Sequence, residues 1–202
     1  EVYKRVDFIN YWLYTFTATC LLCLVEPFVA IWLGQDFVLT KAILILAVAI
    51  YYFKGINSGI DIAKNAAGLY YPDRFIPMAE AIANMVISIV LAKRYGIAGV
   101  LFGTLVSFLA LSFWAKPYFV CRDVFEVSFA RYAVREGREI VVSVLVAAGT
   151  WYAVSLVSLE NVLLSFGVKA LLALALSNGL LLLVYFKTVS YTHLTLPTTS
   201  RV

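Results

Sequence analysis

Charge is the scarcest property of this sequence. Only 14% of its 202 residues are charged, where a soluble domain carries roughly 25%. Histidine is almost missing: the single copy, His193, lies in a tail unlike the rest of the chain. No glycine-rich phosphate loop and no Walker pattern occurs, so ATP hydrolysis is not expected. The basic residues are spread over short links, not gathered on one face, which argues against nucleic acid as a partner. Cys20 and Cys23 have C-x-x-C spacing, yet they sit in the apolar run around Ala18 and Val25 with no second pair and no nearby histidine. Buried, inert thiols are expected there, not a metal or redox centre, and Cys121 carries no pattern.

What remains is hydrocarbon. Hydrophobic residues make up 63% of the chain, and its mean hydropathy is +0.91. No soluble core of this length holds that much apolar surface. A bilayer-spanning helix needs about 20 mostly apolar residues, and six stretches qualify: 8–33, 38–67, 75–93, 100–119, 140–157 and 162–186. Pro27 is expected to kink the first. Turn chemistry separates them: Gly34-Gln35-Asp36, the segment from Gly68 through Tyr70, Tyr71, Pro72 and Asp73, then Tyr95-Gly96, then Ser158 to Asn161. The sequence therefore predicts an all-α, polytopic membrane bundle. Four spanning helices fall in 1–119, a cytoplasmic amphipathic loop in 120–138 and a closing helix pair in 139–187.

Basic residues orient this stack. With the amino end in the cytoplasm, inside segments hold Lys4, Arg5, Lys64, Arg74, Lys116, Arg122, Arg131, Arg135, Arg138 and Lys187, against Lys41, Lys93 and Arg94 outside. That bias favours six crossings with both ends of the chain inside. In the long loop, Phe125, Phe129 and Tyr132 share one helical face among arginines, which predicts a short helix lying in the headgroup layer.

Charges inside a span are costly, about 2.5–3.5 kcal/mol each on insertion scales, so their spacing is informative. Lys54, Asn57, Asp61 and Lys64 recur at three, four and three residues and share one stripe of the second helix. Two lysines and one aspartate make that stripe net positive. It suits the wall of a hydrated vestibule that attracts an anionic headgroup; the plainer reading pairs Asp61 with Lys64 and Asn57. On the third span Glu80, Asn84 and Ser88 share a face. Glu80 is placed to pair with Arg74 or Lys64, or to bind a coupling H+ or Na+. Asn10, Tyr14 and Thr17 form a weaker stripe on the first span, suited to sugar contacts or to interhelical hydrogen bonds. Gly99 and Gly103 have the G-x-x-x-G spacing of close helix packing.

Several strings in order carry a resemblance. They are Leu33-Gly34-Gln35-Asp36-Phe37; Ala67 through Tyr70-Tyr71-Pro72-Asp73-Arg74; Glu80-Ala81-Ile82-Ala83-Asn84 with Ser88; Gly96-Ile97-Ala98-Gly99-Val100 with Gly103-Thr104; and Phe113-Trp114-Ala115-Lys116-Pro117-Tyr118. Over about 6–186 the chain resembles the polysaccharide-biosynthesis (Wzx-type) oligosaccharide flippases of the multidrug/oligosaccharidyl-lipid/polysaccharide exporter superfamily. The resemblance implies the C-terminal bundle of a MATE-like fold plus an extra helix pair, with the N-terminal bundle of the same chain as a missing partner. It also implies a bacterial cytoplasmic membrane, membrane lipids as surroundings, and translocation of undecaprenyl-pyrophosphate-linked oligosaccharide. No bond is broken in that process, so no enzyme activity and no cofactor are expected beyond possible H+ or Na+ coupling. A multidrug or lipid II exporter of the same superfamily is the near alternative, and an integral-membrane glycan polymerase or ligase the distant one. The chain starts at Glu1, so an upstream part is expected. The tail 190–202 is expected to be adapter-derived and disordered.

Overall fold

A computed structural model describes residues 2–69, 71, 74–125 and 127–194. Hydropathy and turn residues divide the chain into helices α1 (Val2–Trp32), α2 (Lys41–Ala66), α3 (Ile76–Ala110), α4 (Ser112–Asp123), α5 (Phe129–Ser155) and α6 (Val162–Leu194), with a single 3-10 turn at Gln35–Phe37. Among the described residues, five segments are by length and composition apolar enough to cross a membrane: Arg5–Trp32, Lys41–Ala66, Ile76–Asp123, Phe129–Ser155 and Val162–Phe186. The link bearing Tyr70, Pro72 and Asp73 falls partly outside the described residues. α6 runs through the start of the expected tail to Leu194, and residues 195–202 lie outside the description.

α3 folds back on itself. Gly96 has φ 56° and ψ −133°, a left-handed conformation that a side chain would oppose. Beyond it the two arms run antiparallel. Ser88 Oγ lies 3.2 Å from the Val100 carbonyl, and Thr104 Oγ1 donates to Asn84 Oδ1 at 3.3 Å. A Cβ on Gly99 would stand 2.4 Å from the Leu91 carbonyl oxygen, and one on Gly103 would stand 2.5 Å from Ser88 Oγ. The G-x-x-x-G face is thus the seam of a helical hairpin, where bare glycine lets the two backbones touch.

α1 is the hub of the bundle. It packs against α2, α5 and α6, while the α3 hairpin attaches through α2 and α4 lies against α2, α3 and the start of α5. A second close seam, between α1 and α2, uses Gly55 and Gly59. A Cβ on Gly55 would stand 2.0 Å from Cδ1 of Tyr14, and one on Gly59 3.2 Å from Asp7 Oδ1. Three apolar clusters hold the helices together. Tyr52, Ile56, Phe108 and Phe113 tie α2 to α3 and α4. Tyr11, Val146, Leu181 and Tyr185 tie α1 to α5 and α6. Cys23, Val154 and Ala173 close the other end of the α1, α5 and α6 contact. Cys20 is half-buried, Cys23 and Cys121 are buried, and all three are free thiols. Outward faces remain apolar: Leu163 is 70% exposed, Leu171 68% and Leu183 78%. In water such patches would drive association, whereas hydrocarbon accommodates them.

The stretch 120–138, expected as a cytoplasmic amphipathic loop, is divided between the ends of two helices. α4 runs to Asp123, and α5 begins at Phe129 and continues unbroken to Ser155. The aromatic residues face protein: Phe125 meets Tyr3 at 4.5 Å, and Phe129 meets Tyr118 at 5.7 Å and Trp114 at 6.3 Å. Arg135 of this stretch bonds Asp7 of α1 and lies 3.8 Å from Glu139 one turn on. Those pairings hold the polar start of α5 against α1, so the helix begins well before its apolar run.

Candidate functional site

The stripe on α2 meets α3 and α4 in parallel register. Lys54 Nζ stands 5.7 Å from the ring centre of Phe108, and seven residues on Asp61 reaches Lys116. Phe108, Ser112 and Lys116 are spaced by four and occupy one face of the α3–α4 continuation. Asn57, between Lys54 and Asp61, is therefore level with Ser112. Asp61 and Lys116 form an ion pair at 2.9 Å to Oδ1 and 3.1 Å to Oδ2. Glu80, at the start of the α3 hairpin, accepts a hydrogen bond from Ser112. Two acidic side chains from different helices thus converge on successive turns of α4.

Asp61 pairs across to α4 through Lys116. The reason is reach: α4 runs beside this face of α2 and brings a lysine head to bonding distance, while its carbon stem stays in the apolar seam. Glu80 takes Ser112 in place of the expected Arg74 or Lys64. Arg74 is exposed and packs its guanidinium on Tyr71 at 4.1 Å and on Phe75 at 4.6 Å. Lys64 is half-buried at the same end of α2. Asn84 is drawn into the hairpin seam with Ser88 and Thr104.

Asn57 is the anomaly. It is 2% exposed, and neither amide atom has a hydrogen-bond partner among the described residues. An unsatisfied buried polar group costs about 1–3 kcal/mol, so this position calls for a water or a polar ligand group. Lys54 is the opposite case. It is exposed, forms no ion pair with a described residue, and rests its ammonium only on the Phe108 ring.

The stripe on α1 meets α2 directly. Asn10 Nδ2 donates to the Gly55 carbonyl at 2.9 Å and lies 3.1 Å from Ser58 Oγ. Thr17 Oγ1 lies 2.9 Å from the Tyr51 hydroxyl. Tyr14 lays its ring over Gly55 and against Tyr51, with ring centres 5.3 Å apart. These are interhelical bonds, so Asn10 and Thr17 are occupied by protein and not presented to a ligand.

Neither Lys116 nor Ser112 is picked out by the sequence pattern, although their spacing of four on one face was a usable signal. Asp7 and Arg135 are separated by 128 residues, a distance over which no local periodicity speaks. The structure brings Lys54, Asn57, Asp61 and Glu80 to one junction of α2, α3 and α4. It leaves Arg74 at the surface and Tyr14 in the α1–α2 seam. Comparison with known protein families, with curated proteins and with solved structures finds no match.

Proposed function

We propose that this chain is the second half of a flippase that carries a lipid-linked oligosaccharide, anchored on a polyprenyl pyrophosphate, across a bacterial cytoplasmic membrane. In this reading both arms of the α3 hairpin cross the bilayer, giving six crossings with both ends of the chain inside. The observation that carries the proposal is the face of α2: an exposed lysine with no acidic partner among the described residues, one turn from a buried asparagine whose amide has no partner among them. A lysine turned toward acyl chains would cost about 2.5–3.5 kcal/mol, and functional pathways are where such a cost recurs. A pyrophosphate cannot enter hydrocarbon unaccompanied. A cationic, hydrated wall lowers that barrier while the lipid tail stays in the bilayer. Rocking of this bundle against the absent one would change the side to which the wall opens.

The test is Lys54→Ala and Lys64→Ala in the complete protein, scored by surface glycan and by the amount of folded protein in the membrane. Both variants are expected to reach the membrane and to lose export. Full export by both would remove the cationic wall from the mechanism.

A further inference from the structure

Two charges of opposite sign stand at the mouth of an apolar groove without pairing. α1 packs against both α2 and α5, while α2 and α5 stay apart. The half-open groove between them is lined mainly by apolar side chains, among them Leu22 of α1, Val48 of α2, and Val144 and Ala147 of α5. At one end the Tyr52 hydroxyl spans the gap and donates to Ser143 Oγ at 2.9 Å, and Thr15 Oγ1 lies 2.8 Å from the same atom. At the other end stand Glu26 and Lys41.

Interhelical hydrogen bonds set the level of these two charges. Thr17 Oγ1 lies 2.9 Å from the Tyr51 hydroxyl, and Asn10 Nδ2 lies 3.1 Å from Ser58 Oγ. Between these contacts α1 advances seven residues while α2 retreats seven, so the two helices run antiparallel and in step. Nine residues beyond Thr17, matched by nine before Tyr51, bring Glu26 level with Ala42, beside Lys41. α5 runs parallel to α1: Tyr11 donates to the Glu139 carbonyl and Thr15 meets Ser143, each pair 128 residues apart. The same offset sets Glu26 level with Val154, one turn beyond Trp151. The Lys41 ammonium lies 5.8 Å from the centre of the Trp151 ring. Both charged side chains are exposed, and neither forms an ion pair among the described residues. A carboxylate inside a span is costly, and such groups pair or serve a function.

We infer that this groove binds a phospholipid of the surrounding bilayer with an ethanolamine headgroup, its phosphate on Lys41, its primary ammonium on Glu26 and its acyl chains along the apolar wall. Each alternative leaves one group unanswered. An anionic phospholipid such as phosphatidylglycerol brings no cation to Glu26. A choline headgroup brings a cation but no N–H to donate to the carboxylate, and charge-assisted hydrogen bonds are roughly twice as strong as neutral ones. A lipophilic cation leaves Lys41 unmatched, and a small soluble zwitterion leaves the apolar wall bare. Such binding is independent of what the protein transports.

The test places the full chain in nanodiscs holding equal parts of phosphatidylethanolamine, phosphatidylcholine and phosphatidylglycerol with identical acyl chains, and reads retained lipid by native mass spectrometry. The ethanolamine lipid should be retained about tenfold over each of the others, the difference one hydrogen bond to a charged group makes. Glu26→Gln keeps an acceptor but loses the charge, so the ratio over the choline lipid should fall to about threefold, and phosphatidylglycerol should gain. Lys41→Gln should weaken retention of all three lipids about fivefold, as expected for one surface lysine. Glu160→Gln, on the link between α5 and α6 and outside the groove, should leave every ratio unchanged. Circular dichroism checks the fold of each variant. Equal retention of ethanolamine and choline lipids by the wild type would overturn the inference. So would an unchanged ratio in folded Glu26→Gln, or an equal loss of selectivity in Glu160→Gln. A lipid-free dimer would give the groove to a second copy of the chain and overturn it as well.

Discussion

The pair between Asp61 and Lys116 permits a quantitative prediction. Unit charges 2.9 Å apart attract by about 6 kcal/mol at an effective dielectric constant of about 20, before desolvation is subtracted. The side chains are 16% exposed for Lys116 and 38% for Asp61. Breaking a fully buried pair costs about 3–5 kcal/mol, and exposed pairs contribute about 0–1 kcal/mol. A half-buried pair falls between these, so Asp61→Asn and Lys116→Met should each destabilise the bundle by about 2 kcal/mol. The double variant leaves no uncompensated charge, so it should lose about 1–2 kcal/mol less than the sum of the singles. Denaturant unfolding of the chain in mixed micelles, followed by tryptophan fluorescence, measures all of these. A parallel cycle with Lys64→Met separates the pairing across helices from pairing along α2, and its coupling to Asp61 should be smaller. Additive losses for Asp61 and Lys116, or a larger coupling to Lys64, would refute the packing of α4 against the polar stripe.

Three further outcomes follow from the same packing. Gly99→Ala should destabilise the α3 hairpin by about 1–3 kcal/mol, because the obstructing atom is the Leu91 carbonyl and no side chain can yield; disulfide trapping between cysteines on the two arms should slow in step. Gly55→Ala should cost a similar amount through the ring of Tyr14, and that cost should largely vanish in a Tyr14→Ala background when measured by the same unfolding assay. Arg135→Met should cost about 3–5 kcal/mol by leaving Asp7 uncompensated. Arg122→Met, at an exposed pair with Asp123, should stay within about 1 kcal/mol.

The helices could be read from the sequence because hydropathy and turn residues vary locally. Gly34, Gly96 and the link between Ser155 and Val162 each fall where apolar runs stop. The turn at Gly96 and the seam at Gly99 and Gly103 were likewise legible, since a hairpin brings together residues close in sequence. α5 was not. The charges from Arg131 to Glu139 suggest a separate helix in the headgroup layer until Asp7, far away in sequence, is placed beside Arg135. The site was legible in the same uneven way. Helical spacing put Lys54, Asn57 and Asp61 on one stripe, and the structure keeps them on one junction. Spacing along one helix could not supply Lys116, 55 residues from Asp61. Nor could it show that Asn10 and Thr17 face α2, because which neighbour a stripe meets is decided by packing of the whole bundle. Gly55 and Gly59 have the same spacing as Gly99 and Gly103, but alternate in sequence with a polar stripe on another face of α2 that draws attention away from them.

Whether water reaches Lys54 decides the central claim. Lys54→Cys in the complete protein, with Cys20, Cys23 and Cys121 changed to serine, can be exposed to a charged, membrane-impermeant thiol reagent, with Leu183→Cys on the outer face of α6 as the lipid-facing comparison. The account predicts rapid modification at position 54 that an anionic pyrophosphate lipid slows, and none at position 183. Equal resistance at both positions would put the lysine in hydrocarbon and contradict the account.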